Sequence, residues 1–158
     1  MLNKEVVILV VEDEEAHAEL IQRNLKRAGV VNEQVWFRDG AGVLDFLMMK
    51  GEKKREPGKA YLMLLDIRMP GIDGVEVLRR IKQDKELRKI PVIMVTTTDD
   101  PREVERCHAL GCNNYVAKPV DYAQFVEAVR RIGLFLQVVE VPRVNGESNG
   151  IAGTRLVN

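Results

Sequence analysis

Net charge, cysteine and long apolar runs are all scarce in this chain of 158 residues. Lys and Arg total 24 and Asp and Glu total 24, so no net field exists to hold the chain on nucleic acid or an anionic membrane. Such a partner would need a local patch, and the Lys-rich stretch Lys50 to Lys59 reads instead as a solvated connection. The only cysteines are Cys107 and Cys112. They form no disulfide framework, and with His108 alone nearby they lack a four-ligand zinc set, so two reduced thiols on or near a helix are expected. At the amino terminus, Lys4 and Glu5 precede only six apolar residues before Glu12. That run is too short for a signal or a membrane span, and a soluble, cytoplasmic protein follows as the expectation.

Short apolar runs, by contrast, recur at intervals. Val6 to Val11, Tyr61 to Leu65, Pro91 to Val95 and Asn114 to Ala117 have the unbroken character of strands buried on both faces; Gln34 to Phe37 is a shorter fifth. Between them lie helical spacings such as Ala16, Leu20, Ile21 and Leu25, or Val75, Val77, Leu78 and Ile81. Helix starts are marked by Asp73-x-x-Glu76, Asp100-x-x-Glu103 with Pro101 in the first turn, and Asp121-x-x-Gln124. Gly29 and Gly111 mark helix ends. Five strands alternating with five helices, without internal repeats, predict one doubly wound α/β domain with a parallel sheet. That domain is expected over 1–140 and a flexible tail over 141–158, with no output domain attached. The last helix carries apolar residues beyond one face, from Phe125 to Val139, and its extension past Leu134 predicts an interface.

Chemistry-bearing residues fall at one edge of this sheet. The run Leu62-Met63-Leu64-Leu65 stops at Asp66, and Met69-Pro70-Gly71-Ile72-Asp73-Gly74 turns the backbone beside it. Glu12 and Asp13 follow the first strand, Thr96 the fourth and Lys118 the fifth. Three carboxylates that converge repel unless a hard cation lies among them, which points to Mg²⁺. With that charge screened, Asp66 can attack phosphorus and become an acyl phosphate, while Lys118 and Thr96 stabilise the transferred oxygens. His17 and His108 are expected to be exposed helix residues without a role.

These motifs, Val10-Val11-Glu12-Asp13-Glu14, Leu65-Asp66-Ile67-Arg68-Met69-Pro70-Gly71-Ile72-Asp73-Gly74, Pro91-Val92-Ile93-Met94-Val95-Thr96-Thr97 and Tyr115-Val116-Ala117-Lys118-Pro119, together resemble the response-regulator receiver domain of two-component signalling. The resemblance covers about residues 5 to 135. It implies a flavodoxin-like sheet of order 2-1-3-4-5. It also implies that Asp66 accepts phosphate from a sensor histidine kinase, that Asp13 binds Mg²⁺ directly and Glu12 through water, and that Arg68 offers its backbone carbonyl. Lys118 and Thr96 would contact phosphate, Tyr115 would be the rotamer partner of Thr96, and Lys118-Pro119 would be a cis peptide. Glu12 departs from the more usual aspartate, and Thr97 replaces a smaller residue that would leave wider access to the phosphoryl group.

The late Lys-rich connection, Asp39-Gly40 with Asp45-Phe46-Leu47, and the segment Phe135 to Pro142 further resemble the single-domain regulators that partner bacterial and cyanobacterial phytochrome kinases. That resemblance implies a homodimer through the fourth helix, fifth strand and fifth helix, helped by the C-terminal extension, and a downstream protein the sequence does not name. Two other functions fit these residues less well. A phosphohydrolase of the haloacid-dehalogenase type wants an aspartate two residues after the nucleophile, where Arg68 stands. A phosphorylation-independent interaction module would not need the full set of acids, hydroxyl and lysine.

Overall fold

The computed structural model describes residues 5–145. Five strands, β1 (Val7–Val11), β2 (Gln34–Phe37), β3 (Tyr61–Leu65), β4 (Val92–Thr96) and β5 (Asn114–Ala117), alternate with five helices, α1 (Glu15–Arg27), α2 (Gly40–Leu47), α3 (Gly74–Gln83), α4 (Pro101–Leu110) and α5 (Tyr122–Leu136). The strands form one sheet of order β2-β1-β3-β4-β5, and every pairing is parallel. The predicted fold class and strand order are therefore found.

Alternation along each strand divides the core. Leu9, Val11, Met63, Leu65 and Met94 face the layer containing α2, α3 and α4; Ile8, Val10, Leu62, Leu64 and Val95 face the layer containing α1 and α5. Because β1, β3 and β4 are buried along their whole length, neither set of side chains can turn to water. Truncating one of these central leucines to alanine would cost about 2–5 kcal/mol. β5 is the less covered edge, with Asn114 and Ala117 exposed.

Helix ends follow the sequence closely. Asp73 Oδ1 accepts from Glu76 N at 2.9 Å and Asp121 Oδ1 from Gln124 N at 3.0 Å. Asp100 caps one residue earlier than its spacing predicted, accepting from Arg102 N at 3.0 Å, while its backbone oxygen takes the Glu103 N–H at 2.9 Å. Gly111, at φ 105°, ends α4 in a Schellman turn: Cys112 N donates to Cys107 O, and Gly111 N to His108 O, each at 3.0 Å. Cys107 and Cys112 are the buried apolar pair of this turn, free thiols as expected.

The carboxyl-terminal segment corrects one expectation. Residues 141–145, expected to begin a flexible tail, pack under the amino-terminal edge of the sheet, and Val141 and Val144 are 0% exposed. Val141 joins the α1/α5 layer and Val144 the opposite one, so five residues tie both layers together. Arg143 bridges antiparallel to Ala60, Val144 N donates to Lys59 O at 2.9 Å and Gly58 N to Val144 O at 2.8 Å. Arg55, inside the stretch expected to be solvated, is buried; its Nε donates to Leu47 O at 2.8 Å and its guanidinium also bonds Asn145 Oδ1. Burial of two valines and a backbone bridge supplies the ordering that the local polar composition does not show. Residues 146–158 of the expected tail lie outside the described residues.

Candidate functional site

The polar residues that end β1, β3, β4 and β5 lie at one edge of the sheet. The sheet's hydrogen bonding continues just past the strands and fixes their backbones: Glu12 N donates to Phe37 O at 3.0 Å, Asp66 N to Val11 O at 3.1 Å and Lys118 N to Thr96 O at 2.6 Å. The loop after Asp66 is held against it by Gly74, whose N donates to Ile67 O at 2.8 Å. A Cβ there would lie 2.0 Å from the Asp66 carbonyl oxygen, so only glycine permits this approach.

Glu12, Asp66, Thr96 and Lys118 are all buried, an unusual density of polar groups. Lys118 Nζ pairs with Glu12 Oε1 and lies 3.2 Å from Asp66 Oδ2. Burial pushes the Glu12 carboxyl up to about 7; the Lys118 bond opposes that rise and the Asp66 charge adds to it. Glu12 Oε2 accepts from Glu14 N at 3.1 Å. Arg68 N reaches Asp66 Oδ1 only at 3.4 Å, a long contact that leaves this oxygen weakly engaged. Thr96 Oγ1 is buried without a hydrogen-bond partner, which costs free energy unless another group completes it.

The donor set suits a hard divalent cation. Glu12, Asp13 and Asp66 can each offer a carboxylate oxygen, all within 4.8 Å of one another, and no other such grouping occurs among the described residues. Oxygen ligands, with Asp13 only half-buried and open to water, fit Mg²⁺ or Mn²⁺ rather than a thiolate- or imidazole-bound metal.

Other assigned residues are placed differently. Tyr115 is half-buried and paired in register with Met94, two positions before Thr96; its hydroxyl donates to Thr98 O at 2.6 Å, engaging the β4–α4 loop rather than the threonine. Lys118–Pro119 is trans, because no cis bond occurs among the described residues; the trans form is the lower by about 0.5–1 kcal/mol for X-Pro. Thr97 is exposed. Arg68 is exposed two residues beyond Asp66.

Two participants were not foreseen. His17, expected to lie on an exposed face, is half-buried on α1 with Nδ1 3.3 Å from Lys118 Nζ. Its one signal was position, in the first turn of the helix that follows Asp13. Trp36 donates from Nε1 to the Glu12 carbonyl at 2.7 Å, which makes the chain's single tryptophan a built-in reporter of this loop.

Residues 8–130 match the response regulator receiver domain family. The response regulator Rcp1 of Synechocystis is 36% identical over 141 residues, covering 89% of this chain and 95% of its own; the crystal structure of the Mn(2+)-bound form of response regulator Rcp1 superposes with a TM-score of 0.79 at 35% identity, over 86% of this chain and 98% of that one. A receiver domain from Rhodospirillum rubrum gives a TM-score of 0.83 at 42% identity, over 89% and 99%. The phosphorylated cyanobacterial phytochrome response regulator RcpA gives 0.74 at 34%, over 82% and 92%. The chain belongs to the response regulator receiver domain family, and phytochrome response regulators are among its relatives.

Proposed function

We propose that Asp66 is the phosphoacceptor of a Mg²⁺-dependent transfer from a sensor histidine kinase of the phytochrome type. One observation carries the reading: a buried, weakly engaged Asp66 carboxylate lies with two further carboxylates and the Lys118 ammonium, and β4 ends at Thr96, whose buried hydroxyl has no hydrogen-bond partner. In the reaction an Asp66 oxygen attacks phosphorus, the donor's P–N bond breaks and an acyl phosphate forms. Lys118 exchanges a carboxylate acceptor for a phosphoryl oxygen, and Thr96 donates its O–H to another. Glu12, Asp13, Asp66 and the Arg68 backbone carbonyl would hold the metal, which supplies charge neutralisation at the transferred oxygens when bound. Rcp1 with Mn(2+) and phosphorylated RcpA are relatives whose states match this chemistry.

The signal leaves through a surface. Thr96 bonded to phosphate would pull the β4–α4 loop, where Tyr115 already bonds Thr98, and shift the α4-β5-α5 face between two populations. That face has apolar content to cover: Leu134, Phe135 and Val138 are exposed, and α4 buries only Cys107. A homodimer through this face is the proposed assembly. Residues 141–145 pack on their own protomer, so among the described residues of the C-terminal extension the stretch before Val141 is the part free to join the interface. The proposed location is the cytoplasm, where the phosphorylated face would meet a downstream protein.

Intact-mass analysis with a small phosphodonor tests the reaction. A phosphoryl adduct is expected with Mg²⁺, and none with chelator or in Asp66→Asn. Sustained turnover of a phosphate ester would point to a hydrolase instead, and absence of both adduct and metal binding to an interaction module.

A further inference from the structure

Lys118 carries three N–H donors and no acceptor. Glu12 Oε1 and Asp66 Oδ2 take two of them, and the third group within reach is His17 Nδ1 at 3.3 Å. The ring is held from both helices of its layer: it stands on α1 and meets Phe125 of α5 edge-on, with centroids 5.4 Å apart and planes at 81°. Phe125 is itself 5.9 Å below the same ammonium. A contact with a donor-only group requires a lone pair on Nδ1, so the proton of the neutral ring belongs on Nε2.

Glu14 offers the competing arrangement. Its Oε2 lies 3.3 Å from Nδ1, as a protonated Nδ1 would favour, but its side chain is 62% exposed and water can satisfy it. The Lys118 side chain is 2% exposed; an unmet N–H there has no such relief, and leaving a buried charged donor unpaired is the costlier choice. Glu12 Oε1, 3.8 Å from Nδ1, is already engaged by Lys118.

We infer that His17 is a positioning residue for Lys118, the neutral third acceptor that holds the ammonium over Asp66. Of the three acceptors it alone adds no negative charge, so it can keep its bond while Lys118 exchanges carboxylate for phosphoryl oxygen. In its absence the ammonium has only the two carboxylates of Glu12 and Asp66 to rest on, and one of them must release it for transfer. The consequence for transfer rests on Asp66 being the phosphoacceptor; the hydrogen bond itself does not.

Two measurements on the full chain test the assignment separately. In the metal-free, unphosphorylated protein with neutral rings, ¹⁵N NMR should find His17 Nδ1 unprotonated, with a resonance that moves in Lys118→Met. A protonated Nδ1, or one indifferent to Lys118, overturns the inference. In phosphorylation by a small phosphodonor, His17→Leu should slow the rate by about fivefold. His17→Asn, which restores an acceptor near the Nδ1 position, should return it to within about twofold of wild type. Equal rates for Leu and Asn overturn the inference. Failure of the wild type to form any adduct would instead sink the phosphoacceptor reading, and the ring-nitrogen measurement would still decide His17.

Discussion

At the amino-terminal edge of the sheet, buried polar side chains bond mainly to backbone: Asn32 Nδ2 donates to Val6 O at 2.9 Å and Arg55 Nε to Leu47 O at 2.8 Å. At the carboxyl-terminal edge, Lys118 bonds the side chains of Glu12 and Asp66; each edge also holds a buried polar atom without a partner, Arg55 Nη1 at the first and Thr96 Oγ1 at the second. Burial is similar at both edges; the difference lies in what the polar atoms are free to do. A side chain committed to main-chain carbonyls closes the fold and cannot be released without opening it. A cluster of side chains that satisfy each other incompletely can exchange partners at small cost, which chemistry requires.

The sharpest way to break this contrast is to remove the lower strap. Terminating the chain after Glu140 exposes the sites of Val141 and Val144, each worth about 1.5–3 kcal/mol. Urea unfolding should therefore show a loss of roughly 4 kcal/mol. Metal affinity, followed by Trp36 fluorescence, should be unchanged; a strap that altered metal binding more than stability would erase the distinction between the edges.

Next comes Lys118→Met, which should slow phosphorylation by about 100-fold, as loss of one preorganised donor does, while the protein remains folded in Mg²⁺. A smaller effect is expected from the metal alone. Mg²⁺ at about ten times its dissociation constant should stabilise the fold by roughly 1.4 kcal/mol, measured as a rise in Tm that Asp13→Asn abolishes. Because burial holds Glu12 up to about 7 in the metal-free protein, protons compete with the cation, and this stabilisation should fade as pH falls through that value.

The smallest effect belongs to the lower edge. Lys82 is half-buried, donates to Ile90 O at 2.6 Å and is lowered by burial from 10.5 to about 8. Between those values the unfolded chain holds a proton that the folded chain has released, so stability rises with pH across that window, and below about 8 the cost of the buried ammonium is fully present. Lys82→Met should remove that rise, a change on the order of 1 kcal/mol seen by comparing unfolding curves at the two ends of the window.

What was legible in the sequence follows the same division. Strand ends could be read because a buried strand must be an apolar run, and Glu12, Asp66, Thr96 and Lys118 each sit where such a run stops or just beyond. Asp73 and Asp121 could be read because a cap and its helix are neighbours in the chain. His17 could not: its helix face is polar in sequence, and only the meeting of α1, β5 and α5 brings it to Lys118. Arg55, Val141 and Val144 were missed for a related reason, since each is buried by residues from distant elements while its neighbours read as loop. The cis peptide was carried by resemblance rather than by any feature of Lys118-Pro119 itself, and the structure has it trans.

On the proposed function, the loosely satisfied acid at the upper edge is the one that takes phosphate. An acyl phosphate can be reduced with borohydride and its position mapped by peptide mass analysis after loading with a small phosphodonor and Mg²⁺. The reduced residue should be Asp66 and no other. Modification at Asp13, at a histidine, or nowhere in a metal-loaded wild-type protein would contradict it.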